Sequence, residues 1–497
     1  AYLTPHALCV SDEDRMLSYA EFDQQVDILS RALVHHGVGE GHAIGTCARN
    51  SIELLTLMHA AARVHARFVT FNFWLRDGEL RELIEHSRID LLLVDSYTAE
   101  RSLGATAGLE NPPTVVSVDD DVDRALPWNE LASHGLGSDA PTASPTRDFP
   151  FWMMYTSGTT GRPKGVLRSM ENTMKCLWYG VMDYEFRDSD VFLAVAPMFH
   201  GVTFLPLMVL QKGGHVVVRK EFDAKAVVSD IVRLGITASF LVPTMLGRIS
   251  REDAFESLAD SELRILVTGA APRDVALESR VAPVLGHVLH EFYGATETGF
   301  VSVLRPSDRQ DRRGSCGQIG IGMEVQIRDD DGTALATGQV GEIYTRSDGG
   351  ITEYFRDAQA TEEALVDSWF ATGDIGRLDE GGFLYILDRK KDMIISGGEN
   401  IYPSEVESVL AAYPGVAEAA VVGVKDADWG ESVIAFVVLE PGETVEPREL
   451  NAHCRSLLAS FKCPREITVI DELPRSSVGK VLKRELRISR ELEKENT

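Results

Sequence analysis

The sequence predicts an α/β fold in at least two domains: a large N-terminal domain of α/β layers with a small β-barrel-like subdomain, and a small α+β C-terminal domain. Three observations predict it. The chain has 497 residues, more than one hydrophobic core usually organises. Its first half repeats short apolar, β-branched runs between helical stretches. After Gly314 the pattern changes to short segments with Gly and Asp turns, and from Asp388 onward to an α+β pattern.

The apolar runs are residues 90–94 (DLLLV), 190–196 (DVFLAVA), 215–219 (HVVVR), 238–242 (ASFLV) and 263–268 (LRILVT). Unbroken apolar runs of this length suit strands buried on both faces. Residues 137–150 (GSDAPTASPTRDFP) lack periodicity and read as a surface connection between subdomains. The segments GMEVQIRDDDG and GQVGEIYTR suit a small antiparallel barrel or sheet. The expected domains are 1–388 and 389–497.

Composition is that of an ordinary globular protein, 44% hydrophobic and 25% charged. The formal charge of −27 repels nucleic-acid phosphates and anionic membrane surfaces, so a phosphate ligand must be held locally. The six cysteines, Cys9, Cys47, Cys176, Cys316, Cys454 and Cys463, are scattered without metal-ligand spacing and read as free thiols. No basic-then-apolar leader opens the sequence and no long apolar run interrupts it. The expectation is a cytoplasmic protein, monomer or homodimer, with no nucleic-acid partner and no membrane insertion.

Residues 155–166 read YTSGTTGRPKGV after an apolar approach (FWMM). Three glycines, four Ser/Thr hydroxyls and one lysine in twelve positions make a loop whose N–H groups, hydroxyls and ammonium can surround phosphate oxygens. The candidates are Thr156, Ser157, Gly158, Thr159, Thr160, Gly161 and Lys164. The lysine follows Arg-Pro and no Gly-Lys-Ser/Thr terminus is present, so this is not a Walker A loop.

This stretch resembles the phosphate loop of the adenylate-forming superfamily, which contains acyl- and aryl-CoA ligases, peptide-synthetase adenylation domains and luciferases. Four later segments resemble other motifs of that family, in family order. They are 293–299 (YGATETG), its adenine- and magnesium-binding segment; 372–376 (TGDIG), its ribose turn; 388–407 (DRKKDMIISGGENIYPSEVE), its interdomain hinge; and 474–486 (PRSSVGKVLKREL), its C-terminal catalytic loop.

The resemblance implies ATP and Mg2+ as cofactors and an acyl-AMP intermediate. Glu297 is implied as the magnesium ligand, a hard oxygen of the kind the ion prefers. Gly269, Ala270, Ala271, Tyr293, Gly294, Ala295 and Thr296 would line the nucleotide, and Asp374 and Arg389 would hold the ribose. Lys480 resembles the lysine that bridges the substrate carboxylate and the α-phosphate, with Lys483 and Arg484 as solvated neighbours. Because that lysine serves only the first step, the resemblance implies a mobile C-terminal domain turning about Lys391. Ser404 and Glu407 have capping-box spacing, so the glutamates of this segment are given no catalytic role.

The family places His200, in VAPMFHG, where the acyl pocket meets the thiol tunnel. The catalytic candidates are thus Lys480, Glu297, His200, Thr156 and Lys164. An amino-acid-adenylating domain typically has Asp after the phenylalanine, whereas here Phe199 precedes His200. The pocket candidates Trp178, Phe199, His200, Phe204, Gly269 and Ala295 suit a hydrophobic acid, aromatic or alicyclic. On the thiol side the resemblance points to Gly397, Gly398, Trp429, Lys462 and Arg465, with CoA as co-substrate. Cys463 and Glu353 depart from the pattern, where the family has a basic residue and a glycine. The reading is therefore an acyl- or aryl-CoA ligase, with two alternatives: an amide bond synthetase that gives the acyl group to an amine, and a non-catalytic nucleotide-binding relative.

Overall fold

Four of the five apolar runs form adjacent parallel strands of one sheet and the first lies in a second sheet, also between parallel neighbours, as buried β-branched sequence requires. In the computed structural model, which describes residues 3–137, 147–156, 163–269, 275–426, 429–475 and 481–495, they appear as Leu91–Val94, Val191–Ala194, His215–Val218, Ala238–Phe240 and Ile265–Gly269. The chain divides into two compact units, residues 1–324 with 345–370, and residues 325–344 with 371–497.

Two sheets build the first unit. One orders Met16–Ser18, Leu8–Ser11, His215–Val218, Val191–Ala194, Ala238–Phe240, Ile265–Gly269, Leu289–Ala295, Gly299–Leu304 and Gly317–Ile319. It is parallel from Leu8–Ser11 through Leu289–Ala295 and antiparallel beyond. The other orders Glu353–Tyr354, Lys164–Ser169, Pro150–Thr156, Arg67–Thr70, Ala43–Cys47, Leu91–Val94, Thr114–Ser117 and Leu126–Pro127. A shared core joins strand residues such as Val10, Ile44, Phe68 and Trp152 to helical Leu29, Leu55 and Phe204, so helices lie between the two sheets. Burying this apolar surface supplies the main favourable free energy of folding.

Helix starts position the site. Helix Met170–Tyr184 follows strand Lys164–Ser169 directly, and the Ser169 side chain caps it by accepting from the Asn172 N–H (3.1 Å). Thus the strand that begins with Lys164 is anchored at its far end.

The second unit holds most of strands Glu324–Arg328, Gly341–Arg346 and Trp369–Leu378 and all of Phe383–Arg389, the last two paired antiparallel. It also holds the sheet of Ile394–Ser396, Glu399–Ile401, Val416–Asp426, Gly430–Leu439 and Glu466–Val469. By compactness, the small strands expected in the first domain group with the C-terminal residues. Side chains explain this: Lys390 pairs with Glu342 (2.9 Å), and the Ser404 N–H donates to Asp388 Oδ2 (2.8 Å).

Two local expectations are corrected. Helix Pro403–Ala411 starts at Pro403, with Tyr402 at the cap and no side-chain cap bond, so Ser404 lies inside the first turn and cannot cap. Glu407 instead accepts from the Val421 N–H (2.7 Å) and pairs with Lys483 (2.7 Å). Lys483 is therefore a buried-side structural partner rather than a solvated charge. Among the described residues all six cysteines are free and buried, and no helix is long and apolar enough to cross a membrane.

Candidate active site

Lys164 and Thr156 face each other across the base of the phosphate loop. They are register partners in the antiparallel pair of Pro150–Thr156 and Lys164–Ser169. Ser157, Gly158, Thr159, Thr160 and Gly161 lie outside the described residues.

Glu297 sits in the turn between strands Leu289–Ala295 and Gly299–Leu304. Its Oε1 accepts from the Thr156 hydroxyl (3.3 Å) and the Tyr354 hydroxyl (3.0 Å). The Lys164 ammonium stands 4.7 Å over the Tyr354 ring, a cation–π distance. Lys164 and Glu297 thus meet at Tyr354, which sequence reasoning missed, and Thr156 joins them through Glu297. Burial first, and then the Glu297 charge, push the Tyr354 hydroxyl pKa up, so it remains a neutral donor.

The donor chemistry fits Mg2+. Glu297 offers one carboxylate beside a hydroxyl, and among the described residues no cluster of three or more His, Cys, Asp or Glu forms a cage. Mg2+ is commonly held this way, by one or two carboxylates with substrate phosphates and water completing its shell.

Close backbone approach explains the glycines nearby. A Cβ on Gly294 would lie 1.9 Å from the Gly299 carbonyl oxygen, and one on Gly269 would lie 2.7 Å from that of Phe292. Ala295 is exposed at the strand end, and Tyr293 and Thr296 are partly buried. Ala270 and Ala271 lie outside the described residues.

Within the second unit, Asp374 and Arg389 are register partners on adjacent strands, and the Arg389 Nε lies 2.8 Å from Asp374 Oδ1. Asp374 is 4% exposed, while half of the Arg389 side chain is exposed. The Thr372 hydroxyl accepts from the Asp374 N–H (3.1 Å) and donates to the Ile343 carbonyl (2.8 Å), fixing the turn. Lys391 lies in the helical turn Lys390–Asp392. Lys480 lies outside the described residues.

Gly397, Trp429 and Arg465 also meet. Gly397 has φ +62°, and a Cβ there would come within 2.8 Å of the Trp429 ring. Its N–H donates to the Trp429 carbonyl (2.8 Å), and the Arg465 guanidinium lies 4.4 Å over that indole. Gly398 follows with φ +85°. Lys462 turns elsewhere, donating to both Glu405 oxygens (2.8 and 2.7 Å).

The acyl-pocket candidates differ in exposure. Trp178 is 47% exposed on helix Met170–Tyr184. Phe199 is buried edge-on to Phe73 (5.1 Å) and Trp74 (5.6 Å), and Phe204 is buried against Trp152 (4.6 Å). His200 precedes the short turn Gly201–Thr203, where its carbonyl accepts from Thr203. Met198 and Val202, its near neighbours in the chain, border with Ala196, Pro206 and Phe240 a small apolar void with room for about one water. No candidate taken from sequence lines it.

Two family models match this chain: the AMP-binding enzyme over residues 1–355 and the AMP-binding enzyme C-terminal domain over residues 405–480. The chain belongs to the AMP-binding enzyme family. This AMP-binding enzyme is 34% identical over 501 residues to 2-succinylbenzoate–CoA ligase of Geobacillus kaustophilus, covering 98% of this chain and 96% of the relative. Its fold matches ATP-bound MatB of Rhodopseudomonas palustris with a TM-score of 0.88 at 28% identity, covering 98% and 96% of the two chains. It also matches the amide bond synthetase McbA of Marinactinospora thermotolerans, with a TM-score of 0.87 at 29% identity over 97% and 96%. The resemblance read from five sequence motifs therefore holds, and the chain is an adenylate-forming, AMP-forming ligase of α/β fold.

Proposed function

We propose that this enzyme activates a hydrophobic carboxylic acid with ATP, forming the acyl-AMP and releasing pyrophosphate, and then transfers the acyl group to the thiol of CoA. The observation that carries this reading is the convergence of Thr156, Lys164 and Glu297 around Tyr354. A carboxylate oxygen attacks the α-phosphorus of ATP, and the bond from that phosphorus to the pyrophosphate oxygen breaks. Two anions must approach, so charge neutralisation and alignment dominate catalysis.

Lys164 supplies positive charge at the mouth of the phosphate loop, where Ser157, Gly158, Thr159, Thr160 and Gly161 offer hydroxyls and N–H groups. Glu297 and the Thr156 hydroxyl would hold Mg2+, which neutralises phosphate charge when bound. Tyr354 keeps the Glu297 carboxylate oriented. Asp374 accepts from the ribose hydroxyls while Arg389 holds that carboxylate in place. Lys480 bridges the substrate carboxylate and the α-phosphate. Rotation about Lys391 then brings the Gly397–Gly398 turn to the acyl-AMP; the thiolate attacks the acyl carbon and AMP leaves. His200 orients the acid where pocket and tunnel meet, and Trp429 and Arg465 receive the nucleotide of CoA.

The apolar or small character of the pocket candidates Trp178, Phe199, Phe204, Gly269 and Ala295 supports a hydrophobic acid. The absence of an Asp after Phe199 speaks against a substrate ammonium. Transfer to an amine is the second reading. One observation favours it: Lys462 is engaged by Glu405 and Cys463 offers no charge, so two of three positions facing CoA phosphates lack an available cation.

Pyrophosphate release across a panel of carboxylic acids, repeated with CoA and with simple amines, tests this function. Release with aromatic or alicyclic acids and a thioester product are expected. A product formed only with amines overturns the CoA step, and no release with any acid overturns adenylation.

A further inference from the structure

Arg168 is buried completely, at 0% exposure. Removing a guanidinium from water is costly unless every N–H finds a partner, and such a charge is usually paired with a carboxylate. Among the described residues no carboxylate forms an ion pair with Arg168, and the Glu297 charge acts on it only through space. The guanidinium donates instead to two backbone carbonyls. Nε and Nη2 reach Thr296 O (3.3 and 2.8 Å), and Nη1 reaches Gly349 O. Its guanidinium also lies 5.4 Å from the Phe204 ring centroid.

Those carbonyls belong to the two segments that meet at the site. Thr296 O is the oxygen of the peptide unit whose nitrogen belongs to Glu297. The other carbonyls of that turn are already engaged: Ala295 O accepts from the Thr298 N–H (3.2 Å) and Glu297 O from the Ile351 N–H (2.7 Å). Arg168 is thus what holds the Thr296 carbonyl. Gly349 opens the segment that runs to Tyr354, whose hydroxyl donates to Glu297 Oε1. Arg168 and Lys164 lie four residues apart on one strand, hence on one face of the sheet. One guanidinium therefore ties together the strand of the phosphate-loop lysine, the turn of the carboxylate and the segment of the tyrosine.

We propose that Arg168 is a positioning residue for the metal-bearing carboxylate, fixing the backbone on both sides of the Tyr354–Glu297 contact and so setting how tightly Mg2+ is taken with ATP. The proposal rests on reading Glu297 as the magnesium ligand. A residue that serves only the core would alter stability without altering the metal requirement. A partner that orients a ligand alters metal affinity itself, by about tenfold or more.

The test compares wild type, Arg168→Met, Arg168→Lys and Glu297→Gln in three measurements. They are the Mg2+ concentration giving half-maximal pyrophosphate release, Mn2+ binding to the ATP complex by electron paramagnetic resonance, and ATP binding in EDTA. Arg168→Met is expected to raise the Mg2+ requirement and weaken Mn2+ binding by about tenfold. Metal-free ATP binding should stay within about twofold, because the hydrogen bonds Arg168 makes among the described residues go to the Thr296 and Gly349 carbonyls. Arg168→Lys should fall between, since an ammonium cannot span both carbonyls as the planar fork does. Should Arg168→Met fail to fold, Arg168→Lys carries the test. A folded Arg168 variant with wild-type Mg2+ and Mn2+ constants overturns the proposal if Glu297→Gln shifts them. If Glu297→Gln leaves them unshifted, the ligand reading of Glu297 fails, and the proposal with it.

Discussion

Tyr354 joins two demands at one side chain. Its ring lies below the Lys164 ammonium and its hydroxyl donates to Glu297. Replacing it with phenylalanine keeps the first contact and removes the second. Tyr354→Phe is therefore expected to lower the rate of acyl-AMP formation by about tenfold, as loss of a partner that orients a metal ligand does. Single-turnover pyrophosphate release checks this, and an unchanged rate would mean that the hydroxyl orients nothing. Thr156, Lys164 and Glu297 were legible in the sequence because phosphate chemistry demands those residue types inside recognisable motifs. Tyr354 was not, because its importance lies in one hydrogen bond across 57 residues. The sequence singles out its neighbour Glu353, which pairs in the edge strand instead. Lys462 shows the same limit, since nothing in its local sequence announces Glu405 as its partner.

Among the elements, the antiparallel pair Leu289–Ala295 and Gly299–Leu304 carries the most local constraint. The register shifts between Tyr293 and Gly294, bringing Gly294 against Gly299. A methyl group there meets backbone, which cannot swing aside as a side chain can. Gly294→Ala is expected to cost about 3 kcal/mol of stability, within the range of overpacked sites, and to displace Glu297 three residues on. Urea unfolding combined with the Mg2+ dependence of activity reads both effects; full stability with normal activity would refute the steric argument. The buried strands were legible as elements because unbroken apolar runs admit few other placements. Helix Pro403–Ala411 was legible only in part. Spacing of Ser404 and Glu407 matched a capping box, but proline at the first helical position set the start two residues earlier. Glu407 was then drawn to Val421 and Lys483, contacts made across the fold.

For the molecule as a whole, two compact units divide the proposed machinery. The first holds Thr156, Lys164, Glu297 and Tyr354; the second holds Asp374, Arg389, Lys391, Gly397 and Trp429. Two half-reactions sharing one intermediate call for rearrangement between them. Proline at Lys391 restricts φ there and constrains the residue before it. Lys391→Pro is expected to leave pyrophosphate release near wild type while thioester formation from synthetic acyl-AMP and CoA falls sharply. Equal losses in both steps would refute Lys391 as the pivot.

By itself the sequence determined the α/β class, the order of the five motifs and hence the family, because strand patterning and phosphate-loop chemistry are written in contiguous residues. The tertiary structure alone decided that the Tyr354 hydroxyl reaches Glu297, that Arg168 reaches the Thr296 carbonyl, and that Lys462 is engaged by Glu405. The physical reason is separation along the chain. Thr156 meets Glu297 across 141 residues and Arg168 meets Thr296 across 128, and such contacts follow from how whole layers pack.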